Sequence, residues 1–493
     1  MTSPTIDRRR DLITLLENLG AGQAEFEESE PFLKSFYPVP EHLRAFDPDV
    51  VLIVGPRGSG KSSLYRAVIK LGLLRTIAAY SPQRQIASMV ERQIEWREGY
   101  PLGTGFPDPG VLQSLLNSNP EDRSLGTSIW QAYLVRILYD QLDEESRSVL
   151  RPLAEAEGFN PEAVLAAMRN AGIAAQLALD RLDQRLDSEN RYISIGYDAL
   201  DTLGAYNWKV MSLLVGDLVA LWASQGRRWK RIRAKIFLRS DLFERSARGG
   251  GPDLLKLAAN RVEISWSNHQ IYAMLIKRIA NRDRALLEYC KDAGIVCTED
   301  PQIGIIPVIR SMDDAEPFVN RLIGEYMGPN WRKGRTVNWL INHLQDGKGR
   351  LVPRPFVRLM EISATRQRES GQLPDHPHLI APTYIRRGVD EVSREHERGA
   401  EGEWPWLAAM ARALEGKRVP LSTVEMKRII GGMIEVEGKK GSEIALPAQN
   451  SASLIDYLID LGVFRVRSDE RIDVTDLYLA GLGLKRKGGV RKR

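Results

Sequence analysis

The chain has 493 residues with 43% hydrophobic and 27% charged side chains, the composition of an ordinary globular protein long enough for about two to four domains. The formal net charge of +5 is small for this length, so composition alone does not indicate a nucleic-acid-binding protein.

Two cysteines, Cys290 and Cys297, are present, with no histidine cluster around them. This excludes a disulfide framework and a zinc site and suits a reducing compartment. The N-terminal sequence lacks the apolar segment of a signal peptide, and no run of about 18 uncharged apolar residues occurs. We therefore expect a cytoplasmic protein with no membrane association.

The most informative stretch follows a short apolar run at residues 50–54, which predicts a buried strand. The next residues match G-x-x-x-x-G-K-[ST] at every fixed position; they are Gly55, Pro56, Arg57, Gly58, Ser59, Gly60, Lys61, Ser62 and Ser63.

Backbone N–H groups of such a loop surround a phosphate. Lys61 would contact the β- and γ-phosphates, and the Ser62 hydroxyl can ligate Mg²⁺. The structural alternative is a glycine-rich turn with a chance lysine. The strand before the loop and the helix-compatible sequence after it favour binding of a nucleoside triphosphate.

Helical periodicity dominates from about residue 75 to residue 190. Segments 129–142, 161–170 and 174–186 have apolar residues at i, i+3 and i+4. We interpret this stretch as a helical insertion into the nucleotide-binding domain.

The sequence RYISIGYDALD begins at residue 191 and predicts a strand that ends in an aspartate, the pattern of a Walker B motif. Asp198 would hold Mg²⁺ opposite Ser62; the alternative is a buried strand ending in a solvent-exposed aspartate. Many ATPases place a glutamate directly after this aspartate as general base, but here the position is Ala199. Asp201 could polarise the attacking water if a helical turn brings it round.

A third strand is predicted at residues 235–243, KIFLRSDLF, with polar residues near its end. In ATPases of this layout the end of that strand lies beside the γ-phosphate and carries a sensor. Arg239, Ser240 and Asp241 are all candidates, and the pattern does not choose between them.

Two further arginines stand at positions of interest. Arg261 directly precedes a predicted strand at residues 262–266, where an arginine finger would reach a neighbouring subunit; the alternative is a salt-bridged surface arginine. Arg354 opens a helix after a loop, where a lid arginine would sense the γ-phosphate, and Arg358 follows one turn on; an ordinary helix-start arginine is the alternative.

The C-terminal part has the rhythm of a winged helix. Helices are predicted at residues 423–437 and 452–461, followed by a hairpin with its turn at residues 468–469. The last nine residues carry six basic side chains, and a second basic run occupies residues 227–235. DNA binding and protein docking both remain open for this region.

The segments GPRGSGKSSL, ISIGYDALD, KIFLRSDLF and PRPFVRL, in this order, together with the closing LYLAGLGLKRKGG, resemble bacterial P-loop ATPases of the AAA+/STAND neighbourhood. The resemblance implies that Lys61 and Ser62 bind phosphate and Mg²⁺, and that Asp198 binds Mg²⁺. It makes Arg239, Arg261 and Arg354 the sensor or finger candidates. STAND-type members act as switches that couple ATP binding to oligomerisation, several in defence against phage. The order of domains is also similar to that of origin-recognition proteins.

The predicted fold is an α/β P-loop core with a parallel, AAA+-like sheet, a helical insertion, an α-helical lid and a C-terminal winged-helix-like domain. The predicted segments are an N-terminal helix and lead-in at 1–45, the ATPase core at 46–268 with its insertion at about 75–190, the lid at 269–370, a linker with helices at 371–415, and the winged-helix-like domain with its basic tail at 416–493.

The leading functional hypothesis is an ATP- and Mg²⁺-dependent switch that forms a homo-oligomer, as the ATPase subunit of an antiphage system with a separate effector protein. The alternative is a DNA-binding initiator- or loader-like ATPase. A small-molecule kinase is disfavoured, because such enzymes need no separate lid and winged-helix tail. Ala199 in place of glutamate favours slow or partner-stimulated hydrolysis, and the absence of an N-K-x-D motif favours ATP over GTP.

Overall fold

In a computed structural model, the chain divides into two compact units. One, called here the sheet unit, is Pro38–Ile264; the other, called the helical unit, combines Met1–Tyr37 with Ser265–Arg493. The structure describes residues 6–20, 28–80, 90–101, 105–119, 121–122, 124–203, 208–247, 257–401, 404, 406–439, 446–448 and 450–487.

Five parallel strands of the described chain form the central sheet of the sheet unit. They are β1 (Leu52–Gly55), β2 (Gln93–Tyr100), β3 (Arg191–Tyr197), β4 (Ile232–Arg239) and β5 (Val262–Glu263). Their order across the sheet is β2-β3-β4-β1-β5, and every neighbouring pair is parallel. The apolar runs of β1, β3 and β4 are buried, as expected for inner strands covered on both faces. The carboxyl ends of all these strands therefore lie at one edge of the sheet.

Helices cover this sheet and build the segment between β2 and β3. The described α-helices of the unit are Lys61–Tyr65, Leu74–Ala78, Pro109–Ser118, Leu125–Ile137, Glu144–Glu155, Pro161–Ala171, Ile173–Ser188, Trp208–Arg228 and Ser240–Ala247. The shorter helical turns are Pro40–Phe46, Tyr139–Gln141 and Leu200–Thr202, of 3₁₀ type, and Arg66–Lys70, of π type. Side-chain caps at Asp143 and Asn160, each accepting from backbone N–H groups of the first turn, set two of the starts.

Strand β2 lies inside the stretch that the sequence analysis assigned to a helical insertion, so the helices between β2 and β3 begin only after Tyr100. The reason is its position at the edge of the sheet, where a strand needs no continuous apolar run. Charged side chains stabilise it instead: Arg97 pairs with Glu95 at 2.6 Å, and Arg191 of β3 reaches Glu95 at 3.2 Å. The strand before the P-loop also differs slightly from the prediction, because it begins at Leu52 and ends at Gly55.

Aromatic side chains join the segment after β2 to the sheet. The ring of Trp130, in the helix Leu125–Ile137, lies 6.3 Å from Tyr100 and 5.8 Å from Tyr197. Tyr197 in turn lies 6.3 Å from Trp222 of the long helix Trp208–Arg228. The indole Nε1 of Trp130 donates to the backbone oxygen of Leu214 at 2.8 Å, which satisfies its buried polar atom. The helix Leu125–Ile137 is thus packed against the last residues of β2 and β3.

The helical unit consists mainly of α-helices. Those described are Ile6–Leu16, Ser29–Ser35, Asn268–Arg282, Arg284–Asp292, Met312–Leu322, Thr336–Leu344, Pro353–Glu369, Pro382–Glu401, Trp406–Leu414, Thr423–Lys439, Ser451–Leu461 and Asp476–Leu479, with a 3₁₀ turn at Trp331–Lys333. Its short strands are β6 (Cys297–Asp300), β7 (Gly304–Pro307), β8 (Arg418–Val419), β9 (Phe464–Val466), β10 (Ile472–Val474) and β11 (Lys485–Arg486).

The helices Thr423–Lys439 and Ser451–Leu461 are followed by the antiparallel pair of β9 and β10. This is the helix–helix–hairpin order that the sequence predicts. Cys290 and Cys297 are both free thiols, and burial raises the pKa of the Cys290 thiol. Among the described helices, none combines the length and the apolar character needed to cross a bilayer.

Candidate nucleotide-binding site

The loop between β1 and the next helix has a backbone that requires glycine. Gly58 and Gly60 have φ angles of 76° and 96°, a left-handed region that glycine enters without a steric penalty. A Cβ added at Gly55 would lie 2.6 Å from the Ser59 hydroxyl oxygen and 3.2 Å from Ile264 Cβ. The three glycines of the motif therefore allow the backbone to turn tightly after the strand.

Lys61 is the first residue of the helix, and Gly60 before it provides no side-chain cap. The first N–H groups of a helix have no partner within it, so at this end they are directed toward the loop. The Lys61 ammonium donates to the backbone oxygens of Gly55 at 2.9 Å and Pro56 at 3.0 Å. The ammonium group therefore lies inside the loop, against the backbone at its start. Ser62 and Ser63, the next two residues of the helix, are half-buried.

The electrostatic surroundings of Lys61 bring together side chains from several strand ends. Burial lowers the pKa of Lys61 to about 8, the Asp198 carboxylate opposes this, and the Arg239 guanidinium adds to the lowering. Asp201 and Asp241 also raise the pKa of Lys61. The structure therefore places Asp198, Asp201, Arg239 and Asp241 around the lysine of the glycine-rich loop.

Asp198 directly follows β3 and is only 5% exposed. Its backbone N–H donates to the Tyr100 oxygen at the end of β2, at 3.0 Å. The alternative reading of a solvent-exposed aspartate at this strand end is thus not what the structure has. A carboxylate beside a glycine-rich loop is a ligand that Mg²⁺ prefers. A single carboxylate would fill one coordination position of the ion, so phosphate and water would supply the others.

The residue after Asp198 adopts an unusual backbone. Ala199 has a φ of 51°, a left-handed conformation that costs a non-glycine residue about 1 kcal/mol. The 3₁₀ turn Leu200–Thr202 follows and carries Asp201 round toward Arg239. Thr202 Oγ1 donates to the Ala199 oxygen at 2.8 Å and lies 2.6 Å from the Tyr100 hydroxyl, which is therefore the donor to it.

Arg239 is the last residue of β4 and pairs in register with Gly55 of β1. Its guanidinium makes two bonds to Asp241, Nε to Oδ1 at 3.1 Å and Nη2 to Oδ2 at 2.9 Å. Its Nη1 lies 3.6 Å from Asp201 Oδ2. Ser240, between the two partners, has a buried hydroxyl with no hydrogen-bond partner among the described residues. The three sensor candidates are thus distinct: Arg239 and Asp241 form one pair, and Ser240 has an unused hydroxyl.

Arg261 lies away from this cluster. It directly precedes β5, whose Val262 pairs with Ile53 in the middle of β1, whereas the loop follows the carboxyl end of β1. Arg261 is exposed, its Nη1 donates to the Ala258 oxygen at 2.8 Å, and its guanidinium lies 5.6 Å from the ring centre of Phe243. No carboxylate among the described residues pairs with it. Its role as an arginine finger stays a prediction.

Arg354 belongs to the helical unit, where it is the second residue of the helix Pro353–Glu369 and is half-buried. Arg358, one turn on, is engaged by two carboxylates: it bonds Glu395 at 2.7 and 2.8 Å and Glu361 at 3.1 Å. The hydrogen bonds to Glu395 are the main reason why the pKa of Arg358 is raised. Arg358 is therefore a structural ion-pair residue of this unit.

The basic run at residues 227–235 is largely neutralised by its own unit. Arg228 pairs with Asp180, and Arg231 and Lys230 pair with Asp187 at 2.7 and 3.9 Å. Arg233 pairs with Asp49 at 3.5 Å, and Lys235 is fully buried, where it donates to the backbone oxygens of Asp47 and Val50. In the C-terminal tail, residues 488–493 lie outside the described part of the chain.

Sequence reasoning did not single out Tyr100 or Thr202, which hold the turn around Asp198. The tyrosine could not be found because β2 was not recognised as a strand. The threonine lies one residue after Asp201, and nothing in the local pattern marks it.

Comparisons with known proteins add little. No family model matches the chain, and the search of curated proteins gives no significant match. Among solved structures, the ORC2 protein of Aeropyrum pernix in ADPNP–ADP complexes is similar with 13% identity, a TM-score of 0.38, and coverage of 92% of this chain and 90% of that one. A Walker-type ATPase of Pyrococcus abyssi has 14% identity, a TM-score of 0.38, and coverage of 91% and 99%. The Cdc6p protein of Pyrobaculum aerophilum has 13% identity, a TM-score of 0.26, and coverage of 87% and 84%. Scores below 0.5 do not establish a common fold, so the functional conclusion depends on the geometry of the loop and the strand ends.

Proposed function

We propose that this protein is an AAA+/STAND-like ATPase that works as an oligomerising molecular switch. The observation that carries the proposal is the geometry of the strand ends beside the glycine-rich loop. Arg239 lies in register with Gly55, whose backbone oxygen accepts from the Lys61 ammonium. Asp198 directly follows β3, the neighbour of β4 in the sheet. These groups come from three elements, the P-loop helix, β3 and β4, and their chemistry suits a triphosphate with its divalent cation.

ATP is held in this proposal by the loop 55–63. The backbone N–H groups and the Lys61 ammonium bind the β- and γ-phosphates, and the ammonium exchanges its bonds to the Gly55 and Pro56 oxygens for phosphate oxygens. Ser62 and Asp198 are the residues that would hold Mg²⁺, which would neutralise phosphate charge when bound. Arg239, held by Asp241, supplies a positive charge that does not need to move.

Hydrolysis is proposed to be slow. The position directly after Asp198 has a methyl group in place of a carboxylate, and its backbone is left-handed. Asp201 is the remaining candidate for orienting water, but it lies 3.6 Å from Arg239, an interaction that favours its structural use. A site that binds tightly and turns over slowly suits a switch better than a motor.

Assembly would complete the site. Arg261 is exposed, has no carboxylate partner among the described residues, and lies at the start of the sheet's edge strand, away from the loop of its own chain. It is therefore proposed to reach the γ-phosphate of a neighbouring subunit. Arg354, at the start of its helix, is the proposed lid residue that closes on the nucleotide. A separate effector, as in antiphage systems, would then read the assembled state.

The DNA-binding alternative is less well supported. Most cations of the basic run at residues 227–235 are engaged by carboxylates of their own unit. The helix Ser451–Leu461, which precedes the hairpin, contains two aspartates and no lysine or arginine. An acidic helix would be repelled by the phosphates that flank a groove of duplex DNA.

The test is the mass of the chain in solution, measured by light scattering without nucleotide and with a slowly hydrolysed ATP analogue plus Mg²⁺. The wild type should assemble only with the analogue, whereas Lys61→Ala should stay at its nucleotide-free mass. Assembly that requires duplex DNA would support the alternative, and a monomer under every condition would exclude the switch.

A further inference from the structure

A short loop of the helical unit presents a tryptophan to solvent on a basic tip. Trp331 is 70% exposed, the third most exposed large apolar side chain among the described residues, after Val424 and Ile173. It lies in the 3₁₀ turn Trp331–Lys333, between two antiparallel segments that are bridged at Tyr326 and Arg335. We call residues 326–335 the tryptophan loop.

The loop is held by backbone bonds, so the tryptophan is presented by an ordered structure. Tyr326 and Arg335 form an antiparallel bridge, and the Met327 N–H donates to the Gly334 oxygen at 3.0 Å. At the tip, the Asn330 side chain accepts from the Arg332 N–H at 3.1 Å. The buried side chain of Met327 anchors the base of the loop in the helical unit.

Charge at the tip is positive and unbalanced. Arg332 and Lys333 are exposed, and neither has a carboxylate partner among the described residues. The Arg332 guanidinium lies 5.6 Å from the ring centre of Trp331. Arg335, at the base, is different because it pairs with Glu316. No acidic residue occurs from residue 326 to residue 345, whereas amide side chains recur at Asn330, Asn338, Asn342 and Gln345.

We propose that the tryptophan loop binds single-stranded nucleic acid, with an unpaired base stacked on Trp331 and the flanking phosphates bound by Arg332 and Lys333. Exposed aromatic rings next to cations are the arrangement that recognises unpaired bases without sequence preference. A bilayer is a poorer partner, because one indole buries too little apolar surface for stable anchoring. Duplex DNA is poorer as well, because its bases are stacked on each other and have no free face for the indole.

The proposal is independent of the nucleotide site, since it uses residues of the helical unit alone. It differs from the initiator-like alternative, which used the basic run, the winged-helix-like segment and the tail.

The experiment measures fluorescence anisotropy of a labelled 20-nucleotide oligo-dT strand with the full chain, without ATP, over a range of salt concentrations. Trp331→Ala should weaken binding by about tenfold or more, while Trp331→Phe should retain most of it, because stacking on one aromatic ring accounts for a change of this size. The double variant Arg332→Ala/Lys333→Ala should lower the slope of log K against log salt by about 1.4, or about 0.7 for each lost phosphate contact.

The matched control is Lys427→Ala/Arg428→Ala, two adjacent exposed cations on the helix Thr423–Lys439. This variant should bind oligo-dT like the wild type. A loss in the control with none in the loop variants would overturn the proposal, as would absence of binding or equal affinity for a fully paired hairpin. Binding to phosphatidylserine vesicles that depends on Trp331, with none to oligo-dT, would assign the loop to membranes instead. Because every altered side chain is exposed, thermal unfolding should be unchanged in all variants.

Discussion

Arg239 and Asp241 form a buried, two-bond ion pair at the carboxyl end of β4, with Nε–Oδ1 at 3.1 Å and Nη2–Oδ2 at 2.9 Å. Both side chains are more than nine-tenths buried. Because Arg239 pairs in register with Gly55 of the P-loop strand, the ion pair sets a positive charge beside the loop. The carboxylate of Asp241 thus positions the arginine that is proposed to contact the γ-phosphate.

Asp241→Asn should therefore destabilise the chain. Breaking a buried pair leaves a poorly compensated charge, at a cost of about 3 kcal/mol. Asp201, 3.6 Å from the Arg239 guanidinium, is more distant than the lost partner. The measurement is urea unfolding of the nucleotide-free protein. The double variant Arg239→Met/Asp241→Leu removes both charges and should recover most of that stability while binding ATP more weakly. Equal stability of Asp241→Asn and wild type would show that the pair is not structurally important.

Nucleotide binding should depend on pH through Lys61. Its pKa is lowered to about 8, chiefly by burial, and phosphate groups next to the ammonium would raise it in the complex. Above about pH 8 binding must therefore take up a proton, so the association constant should fall toward tenfold per pH unit. Calorimetry at pH 7 and pH 9.5 measures this.

The control for this pH dependence is Lys61→Arg, whose guanidinium stays charged throughout this range. It should bind more weakly than the wild type, because the planar guanidinium does not replace a compact ammonium, but with little change between the two pH values. A wild-type affinity that is constant from pH 7 to 9.5 would contradict the lowered pKa.

The sequence predicted the glycine-rich loop and the inner strands beside it better than the edge strand β2. The P-loop, β3 and Asp198 could be predicted because a motif of fixed spacing and an inner strand of continuous apolar residues both leave a local pattern. Strand β2 could not, because its charged residues are satisfied by cross-strand pairs that no local pattern shows. The hydrogen bond between Tyr100 and Thr202 could not be predicted for the same reason, because Tyr100 is the last residue of β2.

The basic run at residues 227–235 shows the opposite limit. In the sequence it is a candidate surface for nucleic acid, but its partners Asp180, Asp187 and Asp49 are distant in the chain and are brought to it only by the fold. Conversely, Trp331 has no helical or strand periodicity that marks it, and only its exposure reveals it.

Asp217→Asn should stabilise the chain near neutral pH. The Oδ2 atom of Asp217 has no hydrogen-bond partner among the described residues and lies against Gly126, and burial raises the pKa of Asp217 to about 6. A raised folded-state pKa means that its favourable contribution is full below pH 3.8 and is lost as the pH rises through 6.

The gain from Asp217→Asn should be about 1 kcal/mol at pH 7.5, after allowing for the partly exposed side chain, and should vanish near pH 4, where the wild-type carboxyl is protonated. Urea unfolding at both pH values measures it. A gain of the same size at pH 4 would show that charge is not the cause.

Ala199→Gly should also stabilise the chain, by about 0.5 kcal/mol. The left-handed backbone at φ 51° costs alanine more than glycine, and the greater freedom of glycine in the unfolded state removes part of the gain. Ala166→Gly is the matched control, because Ala166 is exposed within the regular helix Pro161–Ala171. There the same substitution should cost about 1 kcal/mol. Two changes of the same sign would contradict the proposed strain at Ala199.

The proposed action of Arg261 in a neighbouring subunit can be tested by mixing two inactive variants. Lys61→Ala lacks nucleotide binding but keeps Arg261, whereas Arg261→Ala keeps the loop and should bind ATP normally, because its side chain lies away from the loop of its own chain. Each variant alone should hydrolyse ATP at least tenfold more slowly than the wild type.

In an equal mixture of the two variants, ATP bound to the intact loop of Arg261→Ala should allow that subunit to pair with Lys61→Ala, although Lys61→Ala does not assemble alone. Its intact Arg261 would then face an intact loop, and part of the activity should return. Phosphate release at several mixing ratios measures this recovery. The control is Lys61→Ala mixed with the double variant Lys61→Ala/Arg261→Ala, which contains no intact loop and should stay inactive at every ratio. No recovery in the first mixture, with mixed oligomers shown by light scattering, would mean that Arg261 does not act across the interface. Full activity of Arg261→Ala alone would exclude any role for it in hydrolysis.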